Sequence, residues 1–250
     1  MTLEYLFAWM MVMLRSIGVI FQLPIIAGHP LPVMMRLGLS IGVATLLAGL
    51  VPATPMPASL WSLIGMASME VVLGLGLGFV VRMAFAAIEM AGRLITTEIG
   101  VTAMPGMGAP EPASEPVAAL LMTFATVMFF LFGAHHSVLI AFAKSFQLAP
   151  AGKAAFDAGA GMALIMDSMN VIELGVRIAA PFIAMNFLVN LAFSVLGRAV
   201  PKMNVFVVSF SARALFGLAL LSTAGALIAR YLFVEFGDLP LRMLQLLRGG

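Results

Sequence analysis

Cysteine is absent from this 250-residue chain, so disulfides, thiolate nucleophiles and sulfur-ligated metal sites are excluded. Charge is scarce: Asp, Glu, Lys and Arg make up 10% of the residues, where soluble domains carry roughly 25%. The few Lys and Arg residues stand singly, with no basic stripe and no base-stacking motif, which argues against nucleic-acid binding. Histidine is nearly missing. His135 and His136 are adjacent, so on a helix they point about 100° apart and cannot share a metal from one face, and His29 sits among prolines. No His-Glu-x-x-His pair, Gly-x-Ser-x-Gly elbow or Walker loop occurs. The expectation is no catalytic residue, no metal and no cofactor.

What the chain has is apolar surface, with 62% of residues hydrophobic. A water-soluble fold of this length cannot hide that much, so lipid or a protein partner has to cover it. No polar linker divides the sequence, and residues 1–250 read as one domain. Met1-Thr2-Leu3-Glu4 is acidic where a secretory signal is basic, so the first helix is expected to be retained.

A spanning helix needs about 20 apolar residues. Candidate segments are Tyr5–Ile26, the shorter Leu37–Val51, Leu60–Val81 with an extension through Met83–Met104, Val117–Ala143, Met169–Gly197 and Met203–Val234. Lys144–Gly161 reads as a small-residue connection. No segment alternates apolar and polar residues as a membrane barrel strand does. The fold class is therefore all-α: a multi-helix integral membrane protein with long hydrophobic helices and a C-terminal helical hairpin. Gly74 and Gly78, like Gly38 and Gly42, are small residues four apart, a spacing for close helix packing.

Ionisable groups inside apolar helices face a partner, a cavity or water. Glu89 with Arg93, and Glu173 with Arg177, are four apart with the acid first, the favourable order. They read as local ion pairs on one helix face or as the lining of a wet interior or subunit contact. Glu98 lies further along the Glu89 segment. Arg15, Glu70 and Arg213 have no neighbour at helical spacing and require a partner from elsewhere. Such charges also occur in secondary transporters, but no internal repeat of the kind those proteins show is visible.

Three stretches carry a resemblance: Glu98-Ile99-Gly100 before an irregular loop; Gly133-Ala134-His135-His136-Ser137-Val138-Leu139-Ile140 running on to Ala149-Pro150; and Leu196-Gly197-Arg198 with Pro201-Lys202-Met203-Asn204-Val205-Phe206. In that order they resemble the FliR/SctT family of type III secretion export-gate proteins, over nearly the whole chain. The resemblance implies a non-enzymatic role in type III protein transport, of the flagellar or the virulence type, with the flagellar type favoured. It implies a multi-pass protein of the bacterial inner membrane, within the flagellar basal body or injectisome base. It implies a hetero-oligomer with FliP-like and FliQ-like subunits forming the export pore, an associated FlhB-like protein, and secreted unfolded protein substrates. It also implies a plug-bearing FliP-like part (1–168), a FliQ-like helical hairpin (169–234) and an amphipathic tail (235–250).

The loop 104–116 holds four prolines and two glycines, which exclude a stable helix. From the residues alone it is a surface connector or a soft, movable seal. The resemblance favours the seal, with Met104, Pro105, Gly106, Met107, Gly108 and Pro110 as the pore plug. Many family members carry a more aromatic stretch ending in Asp-Pro here, where this chain has Thr102-Ala103-Met104-Pro105.

The turn of the hairpin holds Arg198, Pro201, Lys202 and Asn204, and short basic turns stay on the cytoplasmic side. Because the chain lacks cysteine, Val200→Cys is a single labelling site. A membrane-impermeant maleimide should reach it only from the cytoplasm; modification from the periplasm alone would reverse the assignment.

Overall fold

A computed structural model of the chain describes residues 3–23, 32–51, 56–57, 59–100, 115–154, 158–200 and 204–247. Among these there is no strand, and seven helices succeed one another: α1 (Leu3–Gln22), α2 (Val33–Ala48), α3 (Leu60–Ile99), α4 (Pro116–Leu131), α5 (Ala134–Leu148), α6 (Ala158–Ala199) and α7 (Val205–Gln245). Helices α1, α3, α6 and α7 are long and apolar enough to cross a membrane.

The expected extension of the third segment is realised: Leu60 to Ile99 is one helix, with Arg82 carried through without a break. It stops at Gly100, whose φ of +80° is the left-handed conformation in which a helix closes its last carbonyls. The Gly100 N–H donates to Thr96 O at 3.1 Å and Thr97 O at 3.2 Å. The expected single segment Val117–Ala143 is instead two helices, α4 and α5, bent by 67° at Phe132–Gly133. Gly133 takes φ +69°, a conformation most side chains resist, and this breaks an otherwise continuous apolar run. Helix α6 begins well before Met169, because the small residues from Ala158 onwards join the helix, and α7 runs on past Val234 to Gln245.

The chain forms two compact units. The first takes Met1–Ala84, Phe129–Met169 and Glu235–Gly250. In it α1 and α3 run parallel: Gly18 lies against Gly74, Val19 against Gly78, and Gln22 Oε1 accepts from Arg82 Nη1 at 2.9 Å. A Cβ on Gly18 would lie 2.7 Å from the Gly74 carbonyl carbon. The backbones therefore touch, as the glycine spacing in α3 predicts. Helix α2 returns antiparallel along α1, with Trp9 Nε1 donating to Thr45 Oγ1 and Arg36 Nη1 to Phe21 O. Gly38 and Gly42 have no close neighbour among the described residues, so the close packing expected of them is not seen there. Phe7, Met11, Leu73, Leu77, Phe142 and Phe236 fill the core.

The second unit takes Phe85–Met128 and Asn170–Val234. Its part of α3 runs parallel to α6, with Gly175 against Ala87 and Met90, and Asn186 bonded to Glu98. Gly92 fits against Ala118 of α4, and Gly217 of α7 against Ile99. Ile88, Ile95, Ile99, Leu121 and Phe182 are buried here.

Candidate functional site

Unpaired at helical spacing in the sequence, Arg15 and Glu70 are each other's partner in the first unit. The close crossing at Gly18 and Gly74 places them one turn earlier on parallel helices. Arg15 Nε donates to Glu70 Oε2 at 2.6 Å, and Nη2 to Oε1 at 3.0 Å, a two-pronged pair. Both side chains are fully buried. Arg15 also donates from Nη1 to Ser145 Oγ at 3.1 Å and from Nη2 to Ala149 O at 2.9 Å. Its guanidinium lies 4.0 Å from the centre of the Phe146 ring. The Gly152 N–H donates to Glu70 Oε1 at 2.7 Å. One ion pair thus fastens α1, α3, the end of α5 and the turn after it. Gly152, Ser145 and Ala149 were not legible as its partners, because these bonds join residues 82, 130 and 134 positions apart in sequence.

A second cluster in this unit is Arg242 of α7, which donates to Glu235 Oε1 at 2.5 Å and Oε2 at 3.0 Å, with Asp167 of α6 at 3.9 Å. Glu235 and Arg242 are seven apart, two helical turns, so this half of the cluster has a sequence signal. His135 and His136 occupy the first turn of α5 beyond the Gly133 bend, their rings 4.0 Å apart, and the His135 ring is 5.1 Å from Phe130.

The second unit holds the other charges. Glu89 pairs with Arg93 at 2.8 Å, as the four-residue spacing predicts, and Arg93 also reaches Glu115 at 3.1 Å, just before α4. Glu173 and Arg177 pair on the exposed surface of α6. Glu98 accepts from Asn186, and Asn190 donates to Asn186 Oδ1 at 3.0 Å. Of these, Glu98 and Glu115 stand closest in sequence to residues 101–114. Met104, Pro105, Gly106, Met107, Gly108 and Pro110 lie outside the described residues, as do Pro201 and Lys202 of the hairpin turn. Arg198 is exposed at the end of α6, and Asn204 caps α7, its Oδ1 accepting from the Val207 N–H at 3.4 Å. Arg213 makes no ion pair among the described residues, and its Nε has no hydrogen-bond partner.

No group of acids and histidines that could hold a metal occurs among the described residues. Most buried polar side chains among the described residues are satisfied within the chain, His135 Nδ1 and Arg213 Nε being left without a hydrogen-bond partner. The family described as bacterial export proteins, family 1, matches residues 6–238, from α1 to the last turns of α7.

The chain belongs to that family.

Relatives agree over the same length. The flagellar biosynthetic protein FliR of Escherichia coli (strain K12) is 27% identical, covering 91% of this chain and 88% of its own length. FliR of Caulobacter vibrioides is 29% identical over 85% and 86%. The secretion system apparatus protein SsaT of Salmonella typhimurium is 28% identical over 58% and 57%. The resemblance to the FliR/SctT family of type III secretion therefore holds. In this member of the export family, Arg15 and Glu70 both fall inside the matched region.

Removing one partner leaves a buried, uncompensated charge, which costs about 3–5 kcal/mol. Arg15→Met or Glu70→Gln should each sharply lower the thermal midpoint of the detergent-purified protein. Arg15→Met combined with Glu70→Gln should lose less than the two single effects added together. Additive losses would show that the two side chains are not coupled.

Proposed function

We propose that this chain is a non-enzymatic subunit of a type III protein export gate, co-assembling with FliP-like and FliQ-like subunits around a pore for unfolded protein substrates. A FlhB-like protein attends its cytoplasmic side. Its place is the bacterial inner membrane, within the flagellar basal body. The flagellar form is favoured because the FliR matches run over 91% and 85% of the chain, against 58% for SsaT.

The observation that carries this reading is an uncovered hairpin. In their most apolar stretches α6 and α7 are only 22% and 17% buried within the chain, whereas α3 is 61% buried. Other helices must meet that surface, together with lipid. A secondary transporter fits less well. It needs charged groups facing a cavity at mid-membrane, but Arg15 and Glu70 are spent on each other and on backbone groups. Tagged purification in mild detergent from cells making the whole apparatus should return other small hydrophobic proteins in fixed ratio. A well-behaved monomer or homodimer with full activity in reconstituted membranes would end the gate reading.

Within this gate, residues 104–116 act as the movable plug, and the parts 1–168, 169–234 and 235–250 act as plug-bearing part, hairpin and tail. Arg93 sits beside Glu115 and beside the Gly92–Ala118 contact, about two helical turns before Gly100. The ends of 101–114 are thus on the order of 10 Å apart along α3, from a rise of ~1.5 Å per residue. A segment that long can reach several times further, at ~3.3 Å per extended residue. Met104 and Met107 would supply an adaptable apolar seal. Deleting 106–113 should leave assembly intact and make the complete gate leak ions, read as growth inhibition; an assembled, ion-tight deletion mutant would make the segment a simple connector.

A further inference from the structure

Several charges inside the apolar helices are used within the chain: Arg15 by Glu70, Arg93 by Glu89 and Glu115, Arg177 by Glu173. Lys144 of α5 and Arg230 of α7 have no ion pair among the described residues but are exposed to their surroundings; Arg213 differs from them in having a buried, unpaired nitrogen. It lies eight residues into α7, half-buried, with its Nε closed off from solvent and unpaired, and with no acid in salt-bridge range among the described residues. Its nearest aromatic neighbour is Phe210, with the guanidinium 6.0 Å from the ring centre, at the outer limit of a useful cation–π contact.

Arg213 stands at the head of an apolar stripe. Phe216, Leu220 and Thr223 are three, seven and ten residues further on, so they share its face of α7. All three line an open groove between α6 and α7 of about 790 Å³. The groove contains Ala184, Ala192 and Ala219, while Leu188 and Phe216 stand 62% and 57% exposed at its sides. An apolar trough with alanines in it and one unmatched cation at its end has a definite complement. Small residues let a helix backbone come close, which a flexible acyl chain does not require. The half-buried cation calls for an anion that arrives with that helix, since a guanidinium drawn further into an apolar contact needs a carboxylate partner.

We infer that the α6–α7 groove is a docking site for an apolar helix of another apparatus subunit that presents an Asp or Glu carboxylate to Arg213. The inference rests on the gate reading and adds to it the chemistry of one contact. The carboxylate supplies the counter-charge that the guanidinium lacks among the described residues, and the apolar face of the same helix covers Leu188, Phe216 and Leu220. Specificity comes from the charge: a helix without the acid leaves Arg213 buried and unpaired, and a helix with a basic residue there is repelled.

The test uses the full-length chain in cells that make the complete export apparatus, with the photoreactive residue benzoylphenylalanine replacing Phe216. Irradiation should join it to a single membrane protein of the apparatus, through a peptide carrying Asp or Glu within one helical turn of the attachment point. Arg213→Glu should lower the yield at least about tenfold, the scale of a lost desolvated charge pair. Arg213→Lys should keep most of it, and exchanging the partner's acid for Arg should restore the yield to Arg213→Glu. If Arg213→Glu fails to accumulate, Arg213→Gln is read in the same way. A crosslink that persists in the charge-reversed chain, an attached peptide with no acid, or an adduct with the mass of a phospholipid overturns the inference, the last by making the groove a lipid site. Absence of a crosslink while export subunits still co-purify removes this docking site and leaves the gate reading standing. Absence of co-purifying subunits removes both.

Discussion

The fully buried pair of Arg15 and Glu70 is the constraint on which the first unit depends. A guanidinium and a carboxylate taken out of water are tolerable only when each finds its counterion and the remaining hydrogen bonds are filled. Here the carboxylate takes both prongs of the guanidinium and the Gly152 N–H, and the guanidinium spends its other donors on Ser145 and Ala149. Satisfying those bonds fixes the register of α1 on α3 and places the end of α5 against both. The glycines are part of the same solution, since only a side-chain-free crossing at Gly18 and Gly74 brings the helices near enough for the pair to close. Such a pair contributes little net stability compared with well-packed apolar groups. Its value is directional: a hydrophobic contact tolerates slippage, and a two-pronged ion pair does not.

The second unit has its Glu89–Arg93 and Glu173–Arg177 pairs at the surface and its uniqueness in helix contacts. Parallel packing of α3 and α6 is held at Gly175 and again at the Glu98–Asn186 bond, the same 88-residue offset that separates Ala87 from Gly175. Polar bonds of this kind between helices are individually modest. They tie the ends of 101–114 to α3 and α6 at Glu98, and to α3 again at Glu115 through Arg93. Beyond that, α6 and α7 leave a broad apolar surface open. Large uncovered surfaces of this kind belong to contact with lipid or other subunits, in keeping with membership of an export family whose FliR relatives match along nearly all of the chain.

Periodicity and composition were enough for much of this. The 62% apolar content, in long uninterrupted runs, implies membrane helices. The spacing Glu89–Arg93 and Glu173–Arg177 is sufficient for two ion pairs, because residues four apart on a helix are neighbours whatever the tertiary fold. Helix ends are harder. The small residues at 158–161 read as the end of a connection and are helical, because alanine and glycine carry no periodicity with which to declare a buried face.

By itself, then, the sequence determined the helical class, the local ion pairs and the family. All of these depend on residues close together in the chain, or on their order along it. Tertiary structure alone decided that Arg15 answers Glu70, that Gly74 does its packing against α1, that Gly133 bends an unbroken apolar run by 67°, and that, among the described residues, Gly38 and Gly42 have no close neighbour and Arg213 no ion-pair partner. Each of these turns on which helix faces which. In a chain whose faces are nearly all apolar, hydrophobicity cannot rank the possible neighbours; only the few polar atoms and the few absent side chains can, and their partners lie far away in sequence.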